Sequence, residues 1–293
     1  MSLDSLCRDS YLTSISICQK NDLSLNNLFL KGEGMSQLKQ TMLVSVSVYL
    51  AWVTATYILE GRILTLLRPE AVFERIAYTV VANFLIGIIV GVWVLRSFLR
   101  SGVVTLKQSG FNSIHHTVVA VVVAGVIGFI LLMVLNPPSL NPIIILNIYA
   151  QVLTVSIAEI IVCWGVIGVS FEAVTRTKGR VVSMLIGILS ADFLFGIYHF
   201  AHSPPFNQIG MVLFLMVIGL FTSLIYFIGR NIYATIVFHN FFGVLGVMQA
   251  LEKSGNLSAY DQPLLPILTM AFLSVIILIC SEIFVVRRVD ESG

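Results

Sequence analysis

The sequence predicts an all-α fold, a polytopic membrane bundle of about eight transmembrane helices. Three observations carry that reading. Hydrophobic residues are 57% of the 293 and charged residues only 11%, against roughly a quarter charged in an ordinary soluble domain. Mean hydropathy is +0.96, and the apolar residues fall in runs close to the ~20 that cross a bilayer as a helix. Pro137-Pro138, Pro142, Pro204-Pro205, Pro263 and Pro266 lie at the ends of those runs, where helix breakers belong.

Taken in order, residues 1–40 read as a polar, disordered tail. It lacks the basic start and apolar core of a secretory signal, and Met35 is an alternative start. Residues 41–290 form one transmembrane domain, with spans at about 41–59, 77–95, 117–135, 143–169, 182–201, 210–229, 231–250 and 264–286. No internal repeat stands out, which sets the chain apart from transporters built on paired broken helices. Lys and Arg number 13 in the tail, alternate loops and the C-terminus, against 4 in the opposite loops. That bias places both termini in the cytoplasm of a cell-membrane protein and requires an even number of spans. The net charge of +2 argues against a nucleic-acid partner. Cys7, Cys18, Cys163 and Cys280 have neither zinc-site nor disulfide-framework spacing.

Polar residues inside the spans are the candidates for chemistry. Glu159 is the one formal charge between Ile143 and Phe171. A mid-bilayer carboxylate costs about 2.5 kcal/mol or more to insert, so it faces a partner or a wet cavity. Ser156 and Cys163 share its helix face. His199 ends a stripe with Asp192 and Phe195, while His239 has Asn240 beside it and Gly243 one turn on. Each has a plainer reading: a carboxylate bonded to a neighbouring helix, a satisfied core histidine, a glycine for close helix packing. No Lys or Arg falls within the spans to pair Glu159. His202, beside Pro204-Pro205, reads as a solvated end residue, and Asp192 as hydrogen-bonded within the bundle. Glu282 can snorkel, and His115-His116 have no chemical role. One acid and two imidazoles on three helices suit acyl-bond hydrolysis, with Glu159 as base for water and the imidazoles polarising a carbonyl. The same Glu159, His199 and His239 could hold zinc. The residues alone leave both options open.

These motifs resemble the CAAX prenyl endopeptidase and bacteriocin-processing family, called CPBP or Abi, of intramembrane proteases. The family's Glu-Glu-x-x-x-Arg motif aligns with EIIVCWGVI at 159–167, its Phe-x-x-x-His motif with LFGIYH at 194–199, and its third motif with FHNFFG at 238–243. Order, spacing and the eight-span frame agree over about residues 40–286. The resemblance implies an intramembrane endopeptidase acting on a membrane-associated peptide or protein that enters from the cytoplasmic half of the bilayer. It gives Glu159 and His199 the activation of water and His239 the oxyanion, with Phe195, Asn240 and Gly243 in support. It leaves metalloprotease and metal-free glutamate mechanisms both open, so zinc stays an option.

The chain departs from the pattern at three places. Ile160 stands for the second Glu, Trp164 for the Arg, and Gly243 for the Asn four residues after His239, while Asn240 lies about 100° away around an ideal helix. These departures motivate an alternative: a weakened or inactive member serving as a membrane scaffold or immunity protein. A proton-coupled transporter using Glu159, Asp192 and the histidines is a further alternative. At about 1.5 Å per residue, Glu159, His239 and His199 lie roughly 16, 12 and 26 Å from the cytoplasmic ends of their spans. Tilt, a late start of the fifth helix or a re-entrant segment would have to bring them level.

Overall fold

A computed structural model describes residues 33–287. The expectations for residues 1–32, Cys7 and Cys18 among them, lie outside the described residues. The first helix already begins at Glu33, inside the expected tail, because Gln37, Leu38, Lys39 and Gln40 are good helix formers that extend it ahead of the apolar run. The described residues up to Leu43 fall in one unit and Val44 onward in a second, which contains every side-chain contact described below.

Among the described residues there are eight helices long and apolar enough to cross a membrane, and no strand. Their apolar segments are α1 (Gln37–Gly61), α2 (Val72–Arg100), α3 (Ile114–Val134), α4 (Pro142–Val174), α5 (Arg180–Ala201), α6 (Ile209–Gly229), α7 (Ile232–Lys253) and α8 (Leu265–Val286). The expected number of spans is met, and the chain is a multi-pass membrane protein. The boundary of α2 differs in a way that matters. It starts at Val72 rather than 77, so Arg75 lies inside it, against the expectation that the spans hold no Lys or Arg. Arg75 is buried and donates to Gln151 Oε1 at 3.3 Å and to the carbonyls of Thr65 (3.3 Å) and Arg68 (2.5 Å). Uncharged acceptors take the two terminal nitrogens of this cation, its Nε is buried without a partner, and Glu159 is not among the acceptors.

The central element is α4, with 89% of its apolar window buried, against 17% for α3. Its start is fixed locally: Asn141 Oδ1 caps the Ile143 N–H at 2.9 Å, and Pro142 supplies the preset φ of a first helical residue. Every residue from 156 to 170 is buried. Close approach comes from small residues: Gly87 of α2 lies against Ala158, and Gly243 of α7 against Val152, with no room for a Cβ at either. At Glu159 the backbone passes from α to π geometry, which continues to Gly168. Such wider turns re-aim side chains and recur at functional sites.

The other helices are anchored to position their ends. Tyr49 of α1 donates to the Leu194 carbonyl at 2.7 Å, and Trp52 stacks on Tyr198 with ring centroids 3.9 Å apart, tying α1 to the last turns of α5. α5 tightens to a 3-10 turn at His199–Ala201. Arg230, in the left-handed region at φ 49°, closes the turn between α6 and α7 and grips Glu172 of α4 with two nitrogens, at 2.5 and 2.7 Å. Asn231 then caps α7 through the Ala234 N–H at 2.9 Å. Glu282 does not snorkel: it is buried and bonded to Tyr233 and to Arg287, whose Nε lies 2.9 Å away, because the end of α8 packs on the cluster that ends α2 and begins α7.

Candidate active site

Glu159, His199 and His239 converge, each 4–6% exposed. Glu159 Oε2 accepts from His239 Nε2 at 3.1 Å, while Oε1 stands 3.8 Å from His199 Nε2. The depth mismatch is resolved without a break in the chain. α5 starts at Arg180, two residues earlier than expected, and runs to Ala201 without a re-entrant segment, while α4 continues to Val174, five residues past its expected end, which sets Glu159 deeper from that end and nearer the level of His199.

Hydrogen-bond partners fix what each ring presents. His199 Nδ1 lies 2.9 Å from the Phe195 carbonyl, which can only accept; Nδ1 therefore carries the proton and Nε2 turns a lone pair toward Glu159. His239 Nε2 faces the carboxylate and its Nδ1 lies 2.9 Å from Thr222 Oγ1. Thr222 can donate to that nitrogen when the ring is neutral. It can instead accept from it when the ring is charged, its own proton then going to the Ile218 carbonyl 3.0 Å away. His239 thus keeps an N–H on Glu159 in either state.

Aromatic rings enclose the three groups. Phe195 sits edge-on to His199 and His239, at centroid distances of 4.6 and 5.1 Å. Trp164 lies 5.6 Å from the His239 ring and 5.0 Å from Phe195, and its Nε1 donates to Ser223 Oγ at 2.8 Å. The position where the family pattern has Arg therefore supplies a wall of the site. Ile160 is fully buried in the core. A cavity of about 90 Å³ opens beside Glu159, reaching His199, His202, His239, Leu66 and Phe206. It has room for several waters.

Of the expected supporting residues, Phe195 and Gly243 line this cavity. Asn240 does not: it donates to the Tyr149 carbonyl at 3.1 Å and accepts from Ser156 at 3.0 Å, since the helical angle turns it from His239 toward α4. Asp192 is not hydrogen-bonded through Oδ1 as expected; that oxygen is buried without a partner over Gly219, away from the site.

Two residues were missed. His202 is no solvated end residue: it is 5% exposed, and its Nδ1 lies 3.0 Å from Oε2 of Glu60, at the end of α1. Glu60 is fully buried and also accepts from the Ser203 N–H at 2.8 Å and from the Ser203 hydroxyl. The 3-10 turn that follows Tyr198 directs His202 inward. A signal did exist: the i, i+3 spacing of His199 and His202 puts both rings on one face of a helical end. Glu60 carried none, because it stands at the edge of an apolar run.

Of the zinc set inferred from sequence, His239 holds Glu159 through Nε2 and Thr222 through Nδ1. A different trio offers one ligand atom each, all within 4.8 Å of one another: Glu159, His199 and His202.

Comparison with known proteins bears on the same helices. Residues 139–245 match the family model described as type II CAAX prenyl endopeptidase Rce1-like. Comparisons with curated proteins and with solved structures give no match. The matched segment contains Glu159, His199 and His239, and it supports a CAAX-type protease, a hydrolase of the membrane. Over residues 139–245, less than half of its length, the chain is similar to the type II CAAX prenyl endopeptidase family.

Proposed function

We propose that the protein is an intramembrane endopeptidase that hydrolyses a peptide bond of a membrane-associated polypeptide. Glu159 and His199 activate water, and His239 stabilises the oxyanion. The observation that carries this reading is the placement of Glu159 Oε1 3.8 Å from a bare His199 Nε2. Two acceptors at that separation take both protons of one water, each over about 2.8 Å. The water's lone pairs are then left to face a carbonyl carbon. As the oxygen attacks, Glu159 takes its proton. The neutral carboxyl is a weaker acceptor, which frees the His239 N–H for the oxyanion as negative charge develops there. Glu159 then returns the proton to the departing amine. Trp164 and Phe195 keep bulk water from the rings.

A divalent metal, where bound, supplies Lewis acidity and a more acidic water; Glu159, His199 and His202 are the residues placed to hold it. The cavity reaches Leu66 and Phe206, on the loop side poor in Lys and Arg. With both termini cytoplasmic by the positive-inside rule, that side faces away from the cytoplasm. The substrate segment then enters from there, rather than from the cytoplasmic half anticipated from sequence.

The test is cleavage of a CAAX-type reporter peptide by the protein in liposomes. Glu159→Gln and His199→Ala each lower turnover by about 10²-fold or more while helix content stays unchanged; undiminished cleavage by either rejects the mechanism. Ile160 and Trp164 favour a second reading, a non-catalytic scaffold or immunity factor. A cellular phenotype that survives a combined His199→Ala, His239→Ala change selects it.

A further inference from the structure

A cavity of about 100 Å³ lies between the starts of α2 and α8 and the first half of α4. Its walls are apolar: Val72 and Ile76 of α2, Val155 of α4, and Ile267 and Met270 of α8. Glu159, His199 and His239 do not line it. Set into these walls is Arg75, 7% exposed and without an ion pair among the described residues. Glu70, the acid of the adjoining loop, is held by Arg68 at 2.8 Å. Gln151 Oε1, which takes Arg75 Nη1, also accepts from the Tyr260 hydroxyl at 2.6 Å, and the Gln151 amide donates to the Leu66 carbonyl at 3.0 Å. These neutral partners fix the guanidinium without balancing its charge, and its Nε–H is buried with no acceptor. A cation buried in apolar surroundings is costly unless an anion accompanies it.

The position of the cavity says what form that anion takes. One end meets Leu66 and Pro69 of the loop before α2 and Ala259 of the loop before α8. The other end reaches Thr79, roughly 10 Å further along α2 than Val72. Val72 and Pro266 border the cavity and are exposed. On helices that cross a bilayer, exposed apolar residues meet lipid, so the mouth opens into the membrane where headgroups give way to acyl chains.

We infer that this cavity binds an acidic lipid, with an oxyanion head on Arg75 and the start of an acyl chain between α2, α4 and α8. Carboxylate and phosphate oxygens both suit a guanidinium, so a fatty acid and an anionic phospholipid share the required chemistry. The head supplies the missing negative charge. The spare Nε–H is the donor left for it, and the bonds to Gln151, Thr65 and Arg68 stay in place. Basic pockets between membrane helices are a recurrent place for lipid headgroups.

The lipid site stands whether or not the chain is a protease, and its test reads binding alone. The full-length protein in a neutral detergent, stripped of lipid, is titrated with oleate, phosphatidylglycerol or oleyl alcohol, and bound molecules are counted by native mass spectrometry. Saturable uptake of one acidic lipid per chain is expected, and the tighter of the two acids identifies the head. Oleyl alcohol, an uncharged chain of the same length, binds about tenfold more weakly or worse, as does oleate to Arg75→Gln. Arg75 also ties down its loop, so a second variant leaves it untouched: Met270→Trp fills the chain end of the cavity. That variant loses about tenfold in affinity with helix content unchanged, as for two methylenes kept from burial. Equal binding of oleate and oleyl alcohol, or no saturable uptake of either acid, overturns the inference. Parent-like affinity in Met270→Trp, or in a folded Arg75→Gln, overturns it too.

Discussion

Glu60 and Glu159 are both buried carboxylates paired with histidine, yet their surroundings differ in kind. Glu60 is saturated: His202 Nδ1, the Ser203 N–H and the Ser203 hydroxyl all donate to it. It holds the His202 ring and the start of the 202–208 loop against the end of α1. Glu159 has one direct donor, His239, and its second oxygen looks across 3.8 Å at a lone pair. Saturation makes an anchor, and incomplete saturation beside a cavity makes a reactive group. Arg75 anchors through its terminal nitrogens, bonded to Gln151 and the carbonyls that close the loop between α1 and α2.

The contrast can be broken by substitution. The largest effect falls on Glu159→Gln, which removes the base while preserving shape and lowers turnover of a CAAX-type reporter about 10²–10⁴-fold; equal losses for Glu159→Gln and a lipid-facing control would end the distinction. His239→Ala follows, with about a 10²–10³-fold loss expressed in kcat rather than KM, as for a donor used only in the transition state. Glu60→Ala acts on stability. It orphans two or three buried donors at about 1–3 kcal/mol each, and a melting temperature unchanged from the parent protein contradicts its role as anchor. Thr222→Val is the mildest, removing one neutral hydrogen bond to His239 worth about 1 kcal/mol, or roughly fivefold in turnover. A loss as large as that of His239→Ala would move Thr222 into the reacting set.

How much of this was legible before folding depends on the kind of signal. Glu159 was visible because a charge inside twenty apolar residues is costly and calls for a partner or a wet cavity, and His199 because Phe195 four residues earlier completes a pattern. The eight spans were visible for the same reason. His202 was misread because the adjacent prolines signal an exposed loop, whereas Glu60 draws that loop inward. Glu282 and Asp192 were misjudged in opposite directions: one found partners from a distant helix, the other has an oxygen with none. Asn240, expected among the supporting residues, turns away from the cavity, as its helical angle from His239 had indicated.

The amino-acid sequence by itself determined the helices, their number and which of them carry titratable groups. Hydropathy and helical periodicity are local, and the bilayer demands that each span satisfy its own backbone. Tertiary structure alone decided which ring nitrogens are bare and that Glu60 and His202 join the site. It also decided that Trp164 closes a wall where the family pattern has Arg. Those outcomes depend on contacts between residues 59 to 143 positions apart, brought together by close helix packing that no short stretch of the chain encodes.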